Sequence, residues 1–594
     1  MKPGPRRRPP AAARREAATR SPADAIYLGL WLAALVWGLW AAGRLSWTCD
    51  DAFISFRYAD HLVRGAGLVF NPGERVEGFT NLLWTLWTAL GMRLGADPEQ
   101  WSVVWGLAFY SGCIVLLALL GRRLRRRLGP AALPVPLAAL MAAALPDWNR
   151  FATSGLETSM FTFFVLLGFT WLTGGGGPRR AAAAALALAL ATLTRPDGLI
   201  FAGIGGLFLL WRGAPRTRSV AAFALVLAAI CVPVQAWRWW YYGDFFPNTY
   251  YAKSAYLAWY SQGWTYLRLF LTQYWILGVG VLLGAAAPWA ARPGRGQPGG
   301  RSDGTGDEIA LALAFSLAYT GYVVRVGGDF MFARMLVPVM PFCLILLERG
   351  LARLLPPGRR AWLAASAAAL VAAAAMPSPI RGEQTVAGIV NEWVFYTPER
   401  AEEARRHGEI LRAYFEGLPV CVAFLGGEAR LVYYSRPRVA IECATGLTDR
   451  YVAHQPLLRR ARVGHEKIAP LDYLIRRRRA HFVLGASDAK VLHVYGSVPI
   501  EEIRFGETAG LLLHWDPALM PRLRQRGALF GDFPAILDGY LAEMPGLPDS
   551  TVRLDYAGAR LFYFDHVADP AREKPFLDRL HLPPSGRARP IAGG

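Results

Sequence analysis

Cys49-Asp50-Asp51-Ala52-Phe53-Ile54-Ser55-Phe56-Arg57-Tyr58 follows directly on the first long apolar run of the chain. Two adjacent carboxylates emerge there at a membrane surface, and a helical pattern begins at once. It stops at Gly65-Ala66-Gly67, a helix-ending signature. A turn-rich charged loop follows, Asn71-Pro72-Gly73-Glu74-Arg75-Val76-Glu77-Gly78. Acidic residues at such a place suit two roles. They cap a helix start, where the positive end of the dipole favours them, or they serve chemistry. The stretch alone supports both readings equally.

Composition narrows the class. The chain has 594 residues, 54% of them hydrophobic, with 21 Trp and a mean hydropathy of +0.24. Several apolar runs reach the roughly 20 residues a bilayer requires. This predicts a multi-span membrane protein with a soluble part attached. The net charge of +21 would suggest nucleic acid in a soluble chain. Here the arginines stand between apolar runs, so the excess of positive charge on cytoplasmic loops accounts for them, and no nucleic-acid partner is expected. Six cysteines in 594 residues do not make a disulfide framework. A bridge between Cys421 and Cys443 is left open by their spacing.

Residues 1–22 form a basic tail, with Arg6-Arg7-Arg8 and Arg14-Arg15, and read as disordered and cytosolic. The first span is expected at 24–45, as an uncleaved anchor. Asn81-Leu82-Leu83-Trp84-Thr85-Leu86-Trp87 reads as a helix lying along the surface. Further spans are expected at 101–120, 131–146, 158–174, 181–194, 199–212, 219–236, 266–288, 308–323, 335–348 and 361–377. Basic flanks such as Arg122-Arg123-Leu124-Arg125-Arg126-Arg127 and the Gly/Pro/Arg-rich linker at 292–303 mark the inner ends. The expected architecture is mainly α: a membrane bundle of about 11 spans over 23–378, with its N-terminus inside. An extracytoplasmic α/β domain follows over 379–594, with strands at 420–427, 439–442 and 481–485 and a helix from Glu402 to Phe415.

Under this topology five polar motifs gather on the outer face. They are Asp50-Asp51; Thr153-Ser154-Gly155-Leu156-Glu157-Thr158; Arg195-Pro196-Asp197-Gly198; Phe246-Pro247-Asn248-Thr249-Tyr250-Tyr251-Ala252-Lys253; and Val326-Gly327-Gly328-Asp329-Phe330-Met331-Phe332-Ala333-Arg334. Each has a plain structural alternative. Arg195 can snorkel, Asn248 can cap a helix, and Asp329 can pair with Arg334. Five on one face is harder to explain in that way, because charge near membrane depth is expensive and usually functional. Arg195, Lys253 and Arg334 suit an anionic, lipid-linked donor, since guanidinium groups bind phosphate in two-point fashion. Asp50, Asp51 and Glu157 suit deprotonation of an acceptor hydroxyl. No GxxxxGK[ST], HExxH or CxxC motif occurs, which argues against an ATPase or a zinc enzyme.

An Asp-Asp pair opening the first outer loop before a surface helix resembles the GT-C superfamily of membrane glycosyltransferases. The longer stretch from Asp50 through Gly78 is similar to the terminal (β-1,2) arabinofuranosyltransferase family of actinobacterial cell walls. Pro247-Asn248-Thr249 through Lys253, Gly327-Gly328-Asp329 with Arg334, Gly446-Leu447-Thr448-Asp449, and Gly464-His465-Glu466-Lys467 extend the likeness. The resemblance implies a GT-C-like fold in the bacterial cytoplasmic membrane and a polyprenyl-phosphate sugar donor. It implies an inverting transfer to a glycan or glycolipid acceptor of the cell envelope, outside the membrane. It makes Asp50 or Asp51 the base, with Asp50 slightly favoured for its place at the loop–helix junction. Arg57, Glu157, Arg195, Asn248, Lys253, Asp329 and Arg334 are then expected at the donor, and Asp449, His465 and Lys467 are the candidates in the soluble part. A divalent cation at Asp50 and Asp51 is left open, and no other cofactor is implied. A transporter of lipid-linked sugars is the competing class; it too needs many spans and outer charge, but usually shows repeated halves.

Overall fold

The computed structural model describes residues 22–128, 135–212, 216–287, 304–355, 359–374, 376–425, 427–484 and 502–583. The basic tail, the linker at 292–303 and Gly426 lie outside the described residues.

A helix stands at each of the eleven expected segments: α1 (Pro22–Arg44), α4 (Pro98–Leu128), α5 (Leu137–Ala144), α7 (Thr158–Leu172), α8 (Gly177–Thr194), α9 (Gly198–Arg212), α10 (Arg216–Tyr242), the pair α12 (Tyr260–Gln273) and α13 (Trp275–Ala286), α14 (Thr305–Val326), α15 (Met340–Leu354) and α16 (Arg359–Ala374). Four short helices, α2 (Ala52–Val63), α3 (Leu82–Arg93), α6 (Pro146–Phe151) and α11 (Asn248–Ala252), lie between them. Among the described residues, length and composition alone qualify five helices to cross a membrane, or six if the pair α12–α13 counts as one span. Three further apolar helices are shorter. The count of about 11 is therefore not reproduced by these criteria.

The expected span at 266–288 is in fact bent by 95° between α12 and α13. The cause is local. Tyr274, at the break, gives its hydroxyl to Asp147 Oδ2 at 2.6 Å and accepts the Asp147 backbone N–H at 3.1 Å. Gln273 reaches the same carboxylate at 3.3 Å. These polar ties turn the chain although its apolar pattern runs on. The 12 residues of α13 rise only about 18 Å, short of a bilayer core.

The helix ends sort by chemistry. At one end Glu308 is fully buried and receives Arg349 at 3.0 Å, Arg127 at 3.1 Å and Arg123 at 3.4 Å, while Arg349 also pairs with Glu348. Arg125 meets Asp24 at 2.7 Å at the same end. The five polar motifs expected on the outer face lie together at the opposite end, beside the C-terminal part.

That part contains α17 (Pro398–Phe415), α18 (Ala429–Ser435), α19 (Arg450–His454), and α20 to α23 (Met520–Gln525, Phe533–Glu543, Asp549–Ala559, Pro570–Leu580). They surround a five-stranded sheet of order β2-β1-β3-β5-β4: β1 (Cys421–Phe424), β2 (Val439–Glu442), β3 (Phe482–Leu484), β4 (Glu502–Phe505) and β5 (Thr508–Leu512). The first three strands are the expected ones and run parallel; β5 is antiparallel to both β3 and β4. Cys421 and Cys443 are both free thiols, so the bridge left open by the sequence is absent.

The first loop fastens this part to the helices. Asn71 offers its side-chain amide to β2 as another strand would: Nδ2 donates to Ala440 O at 2.9 Å, and Oδ1 accepts Ala440 N–H at 2.8 Å. The exposed edge of β2 is thereby covered.

Candidate active site

Asp50 and Asp51 face different ways. Both Asp50 oxygens accept backbone N–H groups at the start of α18, from Ala429 and Arg430, each at 2.8 Å. Asp50 thus caps a helix 379 residues further along the chain, not the one that follows it. Asp51 occupies the N-cap position of α2 but makes no side-chain capping bond. Its side chain is 35% exposed and stands 3.6 Å from Arg334. The accessible carboxylate is Asp51. The pair does not present two carboxylates to one point, so the divalent cation left open by the sequence finds no chelating pair here.

Burial pushes the Asp50 carboxyl up to about 6, against the pull of the two N–H donors. A carboxyl raised on folding binds its proton more tightly in the folded state. Stability from this group is therefore greatest at low pH and falls as pH rises from about 4 to about 6. In pH-dependent thermal unfolding, Asp50→Asn should remove that slope and cost stability at every pH, because its NH₂ would face a backbone donor.

Around Asp51 the chain assembles a charged cluster. Arg334 Nε lies 3.4 Å from Asp329, and Nη1 contacts Met331 Sδ at 3.1 Å. Arg334 Nε is buried without a hydrogen bond among the described residues. The backbone here is constrained: Ala333 has φ +63°, and Gly328 has φ +75° with the Tyr266 ring where a Cβ would stand. Left-handed alanine is strained, and such strain collects at functional positions. Arg462 pairs with Glu392 at 3.3 Å and lies 4.4 Å over the Phe330 ring, which meets His465 edge-on at 5.0 Å. Burial and then the Asp51 charge raise the Glu392 carboxyl to about 7. Burial and Arg462 hold His465 below the usual histidine range. The Lys253 side chain packs along Gly464, and its ammonium group has no ion pair or hydrogen bond among the described residues.

A second cluster adjoins the first. Arg195 grips Asp197 through Nε at 3.1 Å and Nη2 at 3.0 Å, and Glu157 through Nη1 at 3.1 Å. Asn81 donates to Glu157 at 3.0 Å, and Tyr319 to Asp197 at 2.7 Å. Arg195, one of the expected phosphate ligands, is thus occupied by two carboxylates.

Three other expected site residues, Arg57, Asn248 and Lys467, hold the two parts together, while the Asp449 side chain bonds within the C-terminal part. Arg57 donates to Phe70 O and Pro437 O, each at 2.9 Å. Asn248 Nδ2 reaches Leu447 O at 2.8 Å and Gly446 O at 2.9 Å. Asp449 caps α19 and accepts the Tyr473 hydroxyl at 2.8 Å. Lys467 bonds to Tyr251 O at 2.8 Å and to Ala453 O. Sequence reasoning missed Glu392, Arg462 and Tyr396, whose hydroxyl donates to Glu392 at 3.3 Å; none lies in a motif that stands out in the sequence.

A third group, His481, His514 and Asp516, has metal-ligand composition. His481 Nδ1 accepts the Cys421 N–H at 3.0 Å. Its Nε2 therefore carries the proton and points it at Asp516, 3.2 Å away. The group does not offer an ion three free lone pairs.

The architecture has a solved counterpart. The crystal structure of ArnT from Cupriavidus metallidurans bound to undecaprenyl phosphate matches over 82% of this chain and 97% of that one, with a TM-score of 0.55 at 14% identity. The fold is the one ArnT has. Its apo form gives 0.50 at 16% identity. The helical bundle expected from the apolar runs is therefore present with the fold of ArnT, and several of its helices are long and apolar enough to cross a membrane. By sequence the chain is similar to the terminal β-(1→2)-arabinofuranosyltransferase of Corynebacterium glutamicum, 34% identical over 53% of this chain and 49% of that protein. The Mycobacterium tuberculosis protein of the same name is 30% identical over 56% of this chain and 57% of its own length. The chain spans about half the length of the curated relatives it matches. No protein-family model matches it.

Proposed function

We propose that this protein is a membrane glycosyltransferase. It moves a sugar from a polyprenyl-phosphate donor to a glycan or glycolipid hydroxyl, on the outer side of a bacterial cytoplasmic membrane. The observation that carries the reading is the half-open Asp51 carboxylate facing an incompletely bonded Arg334 at the end of an ArnT-like bundle. The names of the similar arabinofuranosyltransferases and the undecaprenyl phosphate held by ArnT support the reaction class and the lipid donor.

Asp51 takes the proton of the acceptor hydroxyl. The oxygen attacks the anomeric carbon, the bond from that carbon to the phosphate oxygen breaks, and polyprenyl phosphate leaves. Arg334 and Lys253 meet the charge that develops on the phosphate. Glu157, Asp197 and Arg195 form the wall that holds the Asp329–Arg334 segment. Asp50 docks the C-terminal part, so that Arg462 and His465 close over the donor sugar.

Two experiments test this. Mass spectrometry of envelope glycans from a deletion strain should show the loss of one sugar type from chain ends; an unchanged glycan profile overturns the proposal. Arg334→Ala should raise KM for the lipid donor more than it lowers the thermal midpoint. Arg334→Lys should recover only part, because a point charge replaces a planar fork. An unaltered donor KM in Arg334→Ala removes this residue from the phosphate site.

A further inference from the structure

The segment 456–468 leaves α19, makes the tight turn Arg462-Val463-Gly464-His465, closed by a bridge between its ends, and returns to the sheet. It carries Arg462 and His465 into the candidate site. Its outer surface has an unusual pattern. Leu458 is 92% exposed and Ile468 61% exposed, far more than a soluble surface usually asks of such side chains. Arg459 between them is exposed and has no ion pair among the described residues.

The same segment rests on the aromatic loop between α10 and α12. Arg460 lies 4.8 Å over the Trp259 ring and donates to Leu257 O at 3.4 Å. His454 stacks on Tyr251 at 4.2 Å. Around that contact Trp239, Trp240, Phe245, Tyr260 and Trp264 are all more than half exposed. Aromatic side chains standing open at the end of an apolar helix such as α10 mark the level of the lipid headgroups. The exposed leucine and isoleucine continue that belt, and the exposed arginine adds the charge that anionic headgroups attract.

We propose that segment 456–468 docks on an anionic bilayer surface. Leu458 and Ile468 enter the boundary between headgroups and acyl chains, and Arg459 meets lipid phosphate. The bilayer then acts as the second wall that holds the turn 462–465 over Asp51. The docking needs the membrane setting but not the transfer reaction, so failure of either leaves the other standing.

The test uses the full chain in lipid vesicles, with Cys231→Ser as background, since the other five cysteines are buried. A small fluorophore is attached at Leu458→Cys, at Ile468→Cys, or at Ser550→Cys as the exposed control. Substitutions at such open positions leave the fold intact. Labels at 458 and 468 should be quenched by lipids bearing a shallow doxyl group. They should be several-fold less sensitive to aqueous iodide than the label at 550. Arg459→Glu should weaken the lipid quenching in phosphatidylglycerol vesicles more than in phosphatidylcholine vesicles. Iodide quenching at 458 and 468 equal to that at 550 overturns the proposal. Protection from both quenchers, which would mean cover by protein, overturns it as well. So does an Arg459→Glu response that is the same in both lipids.

Discussion

Asp51→Asn is expected to lower sugar transfer by roughly 10²–10⁴-fold, the usual contribution of a positioned general base, while the protein inserts, folds and binds donor as before. A sugar hydroxyl is too weakly acidic to attack at neutral pH without help. Asp51 is the one member of the acidic pair with a free face: it is 35% exposed, whereas Asp50 is 4% exposed and spends both oxygens on backbone donors. Asp50→Asn should therefore behave differently. It should lower thermal stability and loosen the contact with α18, and its loss of rate should follow that loosening. The measurement is transfer rate beside thermal midpoint for both variants. A large rate defect in Asp50→Asn with an unchanged midpoint, and near-normal rate in Asp51→Asn, would exchange the two roles.

Arg195→Ala should be the most destabilising single change at the site. It would leave Glu157 and Asp197, both buried, without the guanidinium that satisfies them. Breaking a buried pair from one side typically costs about 3–5 kcal/mol, and here one cation serves two carboxylates. Arg195→Lys should recover part of this, since an ammonium group cannot reproduce the three bonds to two partners. Thermal unfolding reads the effect. An unchanged midpoint together with lost donor affinity would return Arg195 to the phosphate site, where its sequence motif first suggested it.

The sequence made the bundle legible because apolar runs and their basic flanks are local signals. It also brought Asp51, Asp329 and Arg334 forward, since each sits in a polar motif beside an apolar run. The bend between α12 and α13 was hidden, because its cause is the distant carboxylate of Asp147. The role of Asp50 was hidden more deeply. Its partners are backbone N–H groups of Ala429 and Arg430, and a backbone donor leaves no trace in residue type. Glu392 and Arg462 enter the site from short turns that carry no periodic pattern.

The first loop teaches a related lesson. Its long motif carried the family resemblance, with Asp50, Asp51 and Arg57 expected at the site. In the structure Arg57, Asn71 and Glu74 bind the C-terminal part, Glu74 through Arg478 at 2.8 Å. Most of the motif is a docking surface, and the chemistry is left to Asp51. Strands β4 and β5 escaped the sequence reading because their segment is short and only partly apolar.

The most direct test places the purified full chain in lipid vesicles with a polyprenyl-phosphate pentofuranose, isotopically labelled in the sugar, and an oligosaccharide acceptor. The account predicts that label appears in an acceptor lengthened by one residue, that unlabelled polyprenyl phosphate is released in equal amount, and that Asp51→Asn suppresses both. Label that crosses the bilayer still attached to its lipid, with no lengthened acceptor, would contradict it and identify a transporter instead.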